Sequence, residues 1–289
     1  MKLIDQVRIL SLRVHRVLRM IVVLAAASVA AAQADSIGVV DRAADTAAPT
    51  PTELAEPAEV VDPVELVTNA IDLMRGLTSY AEMSMLIKRP SWERSSSLVA
   101  WTRGREDALI RFTAPAKDAG NAMLKTGEKM WTFNPKLNRN IRLPSSMMSQ
   151  SWAGSDFSYN DLSRDDKYLR HYDLQMIETT QHEDRTVYTI DAIPKEDAPV
   201  VWGKERMEIR DDYVMVDLTY FDQDMVPLKR MSALEIGEMG GRTVAIAIRM
   251  VNLEEDDSFT EVRYDTIDFD VQLEDRLFTT FALQSGRTR

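Results

Sequence analysis

The sequence of 289 residues contains no cysteine and only 3 histidines. The lack of cysteine excludes disulfides, iron–sulfur clusters, cysteine-based zinc sites and a thiol nucleophile. It also leaves no cysteine to carry a lipid, so we expect a chain that is not lipidated. Positive charge is scarce, since 35 Lys and Arg face 46 Asp and Glu and give a net charge of −11. A nucleic-acid groove needs a concentrated basic surface, so we expect no nucleic-acid partner.

Long hydrophobic runs are also lacking. The uncharged apolar run from Met20 to Ala32 is shorter than the roughly 20 residues that a membrane-spanning helix requires. A small-x-small cleavage pattern follows at Ala32-Gln33-Ala34, and basic residues precede the run: Lys2, Arg8, Arg13, Arg16 and Arg19. Together these features predict a secretory signal peptide over residues 1–34, with an uncleaved anchor or a buried helix as alternatives. Export predicts a soluble periplasmic protein.

Residues 35–62 are rich in Ala, Pro and acidic side chains and have few large apolar ones, which predicts a disordered linker. The folded domain is expected over residues 63–289. Asp62 and Pro63 favour the start of a helix, and Gly76 favours its end. Between them, apolar residues at helical spacing (Val64, Val67, Ile71 and Met74) predict one apolar face.

About a dozen alternating segments follow between residues 81 and 271, separated by turn signals rather than by helices. One example is the predicted hairpin of Met123–Thr126 and Lys129–Phe133 around Gly127-Glu128. A sheet of this size must twist and curl. We therefore predict an α+β fold: a strongly curved antiparallel half-barrel whose concave apolar face is covered by helices and a loop.

Residues 144–162 follow neither a strand nor a helix period, although large apolar side chains mix there with Ser, Asn and Gly. Such side chains must pack on the core or on a ligand. Part of this segment, Gly154-Ser155-Asp156-Phe157-Ser158-Tyr159 followed by Asp161-Leu162, resembles the LolA-like family of outer-membrane lipoprotein-sorting proteins, including a treponemal lipoprotein of that fold. The likeness extends over about residues 65–285 and includes Ala122–Lys125, Lys129–Pro135, Asn138-Arg139 and Ile141–Ser146. It implies a half-barrel with an apolar cavity for acyl chains and a role in moving lipid or lipoprotein across the periplasm.

Enzymatic chemistry has little support in the sequence. His171 and His182 are expected to be solvated loop residues rather than a general base or metal ligands. No nucleophile elbow, zinc motif or P-loop occurs, and no partner base is evident for the serines of residues 145–158. The carboxylate clusters Asp165-Asp166, Glu254–Asp257 and Asp268-x-Asp270 are interpreted as solvated turns and strand faces. We expect no catalytic residue, metal or cofactor.

A ligand-binding face is the stronger hypothesis, because the early hairpins and the irregular segment bring together flexible methionines and aromatics that suit varied apolar shapes. Trp131 and Phe133 are expected to point inward rather than Met130 and Thr132. The full predicted set is Met83, Met85, Trp101, Met123, Trp131, Phe133, Met147, Met148, Trp152 and Phe157. Each of these side chains could alternatively be ordinary core.

These observations predict a periplasmic carrier that holds acyl chains of lipids or lipoproteins. The helix that begins at Pro63 and the segment 144–162 are expected to cover its cavity. An inner-membrane exporter and an outer-membrane acceptor would be its partners, and the acidic net charge predicts only transient contact with anionic membranes. An envelope-stress sensor with the same fold is an alternative, and a hydrolase is a third.

Overall fold

The computed structural model describes residues 61–163 and 167–286. The predicted signal peptide, nearly all of the predicted linker and the Asp165-Asp166 pair lie outside these residues. Within the described residues there are three α-helices: α1 (Pro63–Arg75), α2 (Lys167–His171) and α3 (Thr280–Ser285). The strands are β1 (Thr78–Arg89), β2 (Trp92–Arg103), β3 (Asp107–Ala114), β4 (Ala122–Thr126), β5 (Lys129–Asn134), β6 (Arg139–Arg142), β7 (Tyr172–His182), β8 (Arg185–Pro194), β9 (Lys204–Arg210), β10 (Met215–Phe221), β11 (Pro227–Met239), β12 (Arg242–Asn252) and β13 (Phe259–Phe269).

All of these strands form one antiparallel sheet in the order β6-β5-β4-β3-β2-β1-β13-β12-β11-β10-β9-β8-β7. Neighbours in the sheet are neighbours in sequence except at β1 and β13, where the first and last strands pair through Met83 and Tyr264. The predicted hairpin is present, with Leu124 opposite Trp131 and Lys125 opposite Met130. The prediction of a large, open, curved antiparallel sheet with few helices is thus confirmed.

The helix α1 shows how strongly the sheet curves. It contacts β12, β9 and β7. Five strand spacings separate β12 from β7 in the sheet, about 24 Å if the sheet were flat, whereas a helix with its side chains is about 10–12 Å wide. The sheet must therefore curl around α1, and the face on which α1 lies is the concave one.

The ends of α1 are those that the sequence predicts. The Asp62 carboxylate accepts a hydrogen bond of 2.8 Å from the Val64 amide, and Gly76 ends the helix with φ of 61°. The buried face differs from the prediction, because Val64 in the first turn is exposed. Val67 and Ile71 are buried as predicted, together with Leu66 and Ala70.

The two faces of the sheet carry separate apolar clusters. The inner cluster joins α1 to the concave face, and its buried members include Val67, Met85, Met123, Met207 and Met250. The outer cluster lies on the opposite face under the C-terminal segment 273–285, and its buried members are Trp101, Leu109, Ala122, Leu124, Phe133, Leu277, Phe278 and Leu283. The guanidinium of buried Arg111 fastens this segment with hydrogen bonds of 3.1 Å to the carbonyls of Ala282 and Leu283.

The outer cluster should contribute to stability through the C-terminal segment. Leu283 is fully buried and Phe281 of the same helix is 71% exposed. We expect Leu283→Ala to lower the free energy of unfolding by about 2–4 kcal/mol, because it removes buried methyl groups and leaves a cavity. Phe281→Ala should change it by less than about 0.5 kcal/mol. Chemical denaturation measures both values, and equal effects of the two variants would contradict the packing described here.

Candidate functional site

Strand alternation assigns the predicted site residues that lie on strands to one face of the sheet or the other. Within β4, Met123 belongs to the inner cluster and Leu124 to the outer one. The inner cluster takes in seven of the ten predicted residues. Met83, Met85, Met123, Trp152 and Phe157 are buried in it, while Met147 and Met148 are partly buried against it.

The other three predicted residues face the opposite way. Trp101 and Phe133 are buried in the outer cluster, and Trp131 packs against it. The expected inward direction of Trp131 and Phe133 is therefore corrected, since Met130 occupies the inner cluster. The reason is that the C-terminal segment gives the convex side its own apolar partner, so the bulkiest side chains of a strand need not point inward.

The irregular segment owes its position to the topology. β6 and β7 follow each other in sequence but form the two opposite edges of the sheet. The connection between them must therefore cross the open side of the half-barrel. We call residues 143–163 of this connection the bridging segment.

Trp152 and Phe157 hold the bridging segment on the inner cluster. The Trp152 ring lies 5.4 Å from that of Phe112 between centroids. The amide of Trp152 donates a 2.7 Å hydrogen bond to the carbonyl of Phe157, and Ser151 pairs with Ser158 in a short antiparallel bridge. The large apolar residues of an irregular loop are thus fixed in a small hairpin that faces inward.

Two carboxylates anchor this hairpin to the rim of the sheet. Asp156 accepts hydrogen bonds of 3.1 and 3.0 Å from the guanidinium of Arg89 and one of 2.6 Å from the hydroxyl of Thr260. Asp161 forms an ion pair with Lys229. The side chains of Asp156 and Asp161 are 6% and 4% exposed. The sequence indicated turn and cap residues here, but no local pattern could reveal partners 67 to 104 residues away.

Arginines anchor the C-terminal end of α1 in a similar way. Arg105 pairs with both carboxylate oxygens of Asp72, at 2.8 and 2.5 Å. Arg242 donates to the carbonyls of Asp72 and Leu73, and Arg75 donates to the carbonyl of Gly104. Both covers of the concave face, α1 and the bridging segment, are therefore apolar beneath and ionic at their margins.

The covered face is almost filled by the side chains of the chain itself. Met85, Met123, Met207 and Met250 are each at most 1% exposed. A guest can therefore reach the inner cluster only if a cover moves. Clefts of about 470, 430 and 540 Å³ lie along the bridging segment and have mixed polar and apolar walls.

The histidines and carboxylates singled out in the sequence do not form a metal site in the described residues. Within residues 61–163 and 167–286, no group of three or more His, Asp and Glu side chains is placed to hold a metal ion. His171 is half-buried beside β7, and His182 is exposed at the far end of that strand. Asp270 has a structural role, since its carboxylate accepts a hydrogen bond from the Leu77 amide and forms an ion pair with Arg242. In the same part of the chain, no helix is both long and apolar enough to cross a membrane.

Comparisons with known proteins agree with this architecture. A family model described as "uncharacterized protein" matches residues 104–285, more than half of the chain. None of the curated proteins matches the chain significantly.

Several solved structures share the fold. A DUF1329 family protein from Desulfovibrio piger is 22% identical, with a TM-score of 0.68 over 77% of this chain and 100% of its own. A putative outer membrane lipoprotein-sorting protein domain from Vibrio parahaemolyticus is 19% identical, with a TM-score of 0.67 over 77% of this chain and 98% of its own. A LolA superfamily protein from Nitrosomonas europaea is 18% identical, with a TM-score of 0.65 over 77% of this chain and 99% of its own. At this identity the likeness establishes the LolA-like fold.

The carboxylate of Asp156 should stabilise the attachment of the bridging segment to the rim of the sheet. We expect Asp156→Asn to lower the free energy of unfolding by about 3 kcal/mol, because Arg89 is then left largely buried without its counter-charge. Hydrogen exchange of the amides in residues 147–162 should become faster. The control is Glu93→Gln at the exposed Lys88–Glu93 pair, where the expected loss is below about 1 kcal/mol. Unchanged exchange in the bridging segment of the Asp156 variant would refute this assignment.

Proposed function

Since this chain belongs to the family of uncharacterized proteins whose model matches residues 104–285 and has the LolA-like fold, we propose that it is a carrier of acyl chains. In this proposal the inner cluster takes up the acyl chains of a lipid or lipoprotein, and α1 with the bridging segment forms the cover. No covalent step is required. Binding needs only displacement of the cover and burial of the chain.

The distribution of methionine is the observation that carries this proposal. Fourteen of the 16 methionines lie in the described residues, and thirteen of these are in the inner cluster or packed against it. The fourteenth, Met225, is exposed. Methionine is unbranched and polarizable, so its side chains can repack around guests of different shape. The outer cluster contains no methionine and is built from Trp, Phe, Leu and Ala.

The energetics suit a reversible carrier. Burial of each methylene of an acyl chain is worth about 0.8 kcal/mol, which is also what a membrane offers the same group. Transfer between the two environments is therefore nearly balanced. The surplus that decides its direction must come from the cover, the headgroup or a partner protein.

The proposed setting is the periplasm, with an inner-membrane exporter supplying the cargo and an outer-membrane acceptor receiving it. The lipoprotein-sorting domain from Vibrio parahaemolyticus supports this setting by analogy of fold. The net charge of −11 should oppose lasting adsorption to anionic membranes. Delivery would then depend on docking to proteins.

A matched pair of variants on β4 tests the binding face. Met123 and Leu124 are adjacent, at most 1% exposed, and lie on opposite faces of the sheet. We expect the full chain to bind palmitate and palmitate to displace a hydrophobic fluorescent dye. Met123→Gln should weaken palmitate binding by about tenfold, because it places an amide in the apolar site.

Leu124→Gln serves as the control, since it puts the same polar group on the outer face. It should lower stability while leaving palmitate affinity within about twofold of the unmodified chain. Circular dichroism establishes that both variants fold. The proposal fails if the unmodified chain binds neither dye nor palmitate, or if the two folded variants lose affinity equally.

A further inference from the structure

A cleft of about 470 Å³ lies beside the tip of the hairpin in the bridging segment. Residues 152–154 of this hairpin line the cleft, together with Arg94 of β2, residues of the β3–β4 loop, and parts of β5 and β6. These elements meet at the end of the sheet where β3 turns into β4 and β5 turns into β6. We call this cleft the tip cleft.

Two charged side chains of opposite sign line the tip cleft, Arg94 and Asp118. Within residues 61–163 and 167–286, neither of them forms an ion pair, with each other or with a third residue. The guanidinium of Arg94 donates a hydrogen bond to the carbonyl of Ala153, which is a neutral acceptor. The cleft therefore contains one positive and one negative charge that the described part of the protein does not neutralise.

Both charged groups are also partly shielded from water. The Nε atom of Arg94 and the Oδ2 atom of Asp118 are enclosed and have no hydrogen-bond partner among the described residues. Enclosed polar atoms in proteins nearly always have such a partner, and shielding a charge without a counter-charge costs free energy. A ligand that brings an anion to Arg94 and a cation to Asp118 would offset this cost at both groups.

The backbone of the β3–β4 loop fixes the position of Asp118. Its amide donates a hydrogen bond of 2.9 Å to the carbonyl of Pro115, and its carbonyl accepts one of 3.1 Å from the amide of Asn121. Lys117 and Lys136 line a neighbouring cleft together with Asp118, but neither is paired with it. The carboxylate is thus held at the tip cleft by its loop rather than by an ion pair.

The tip cleft borders the inner cluster. Phe112 and Trp152 line the cleft and are buried members of that cluster, each 7% exposed. Neutral polar side chains complete the lining, and they are Asn121, Thr132, Asn134 and Tyr159. A ligand in the cleft would therefore meet two opposite charges and neutral polar groups, with the apolar cluster directly adjacent.

From this arrangement we propose that the tip cleft binds the zwitterionic headgroup of a phosphoethanolamine lipid. The phosphate lies against Arg94, whose planar fork matches phosphate oxygens. The primary ammonium lies against Asp118 and has three N–H groups to donate. The acyl chain continues past Trp152 into the inner cluster when the hairpin moves. This inference rests on the proposed carrier function and adds to it the class of headgroup and its position.

Three ligands with equal chains test the two halves of the site. Palmitoyl-lysophosphatidylethanolamine and palmitoyl-lysophosphatidylglycerol share the phosphate diester and differ in the ammonium, and hexadecanol has neither group. We expect the unmodified chain to bind the ethanolamine lipid about tenfold more tightly than the glycerol lipid. Asp118→Asn should remove this preference by weakening the ethanolamine lipid alone. Arg94→Gln should weaken both phospholipids about tenfold and leave hexadecanol within about twofold.

Two exposed residues outside the tip cleft provide matched controls. Glu93→Gln removes a carboxylate next to Arg94 in sequence, and Arg139→Gln removes a guanidinium from β6. Neither change should alter any of the three affinities. Equal loss of all three ligands in Arg94→Gln, or an unchanged ethanolamine preference in Asp118→Asn, overturns the headgroup site. If the unmodified chain binds hexadecanol without preferring the ethanolamine lipid, only this site fails. If it binds none of the ligands, the carrier function fails as well.

Thermal unfolding separates a ligand-binding role of Asp118 from a structural one. Because its carboxylate has no partner in the described residues, Asp118→Asn should not lower the Tm of the protein without ligand. A saturating concentration of the ethanolamine lipid should raise the Tm of the unmodified chain by more than that of the variant, since tighter binding to the folded state stabilises it further. A Tm several degrees lower for the variant without ligand, or equal shifts on adding the lipid, would contradict the proposal.

Discussion

The architecture of this protein depends on one connection, which runs from β6 to β7 across the open side of the sheet. The sheet has two free edges, β6 and β7, and these strands follow each other in sequence, so their connection must run over the open side of the half-barrel. Unpaired edges and an exposed apolar face are both liabilities in water. The crossing addresses the second by laying Trp152 and Phe157 on the concave face. Because it is a loop rather than a strand, it closes the face without closing the sheet into a barrel.

The two faces of the sheet differ in composition. The outer cluster packs rigid aromatic and branched side chains under a short C-terminal segment that Arg111 fastens. The inner cluster collects the methionines under covers whose margins are held by ion pairs. Rigid packing favours a single native arrangement, whereas unbranched side chains lose less when they rearrange. Stability can thus reside on one face and adaptability on the other.

Local signals in the sequence were sufficient to predict helix ends and hairpins, but not the residues that contact them from distant parts of the chain. The Asp62 cap, the Gly76 end and the hairpin at Gly127-Glu128 depend on neighbouring residues, and the structure confirms them. The prediction that Trp131 and Phe133 point inward is wrong, because alternation divides a strand into two faces without indicating which face is concave. The deciding information lies some 150 residues away, in Leu277, Phe278 and Leu283. The same holds for Asp156, whose partners Arg89 and Thr260 come from the first and last strands.

The ion pairs at the margins of the cover bear directly on the proposed carrier function. Acyl burial alone cannot favour such a carrier over a membrane, because both offer about the same free energy per methylene. The proposed exchange therefore depends on the cost of displacing the cover. At the bridging segment that cost includes the Arg89–Asp156 and Lys229–Asp161 pairs, whose side chains are 16% exposed or less, and separating a largely buried ion pair costs more than separating an exposed one. Since burial of the guest does not supply this free energy, the proposed partner proteins must supply it when they load or unload the protein.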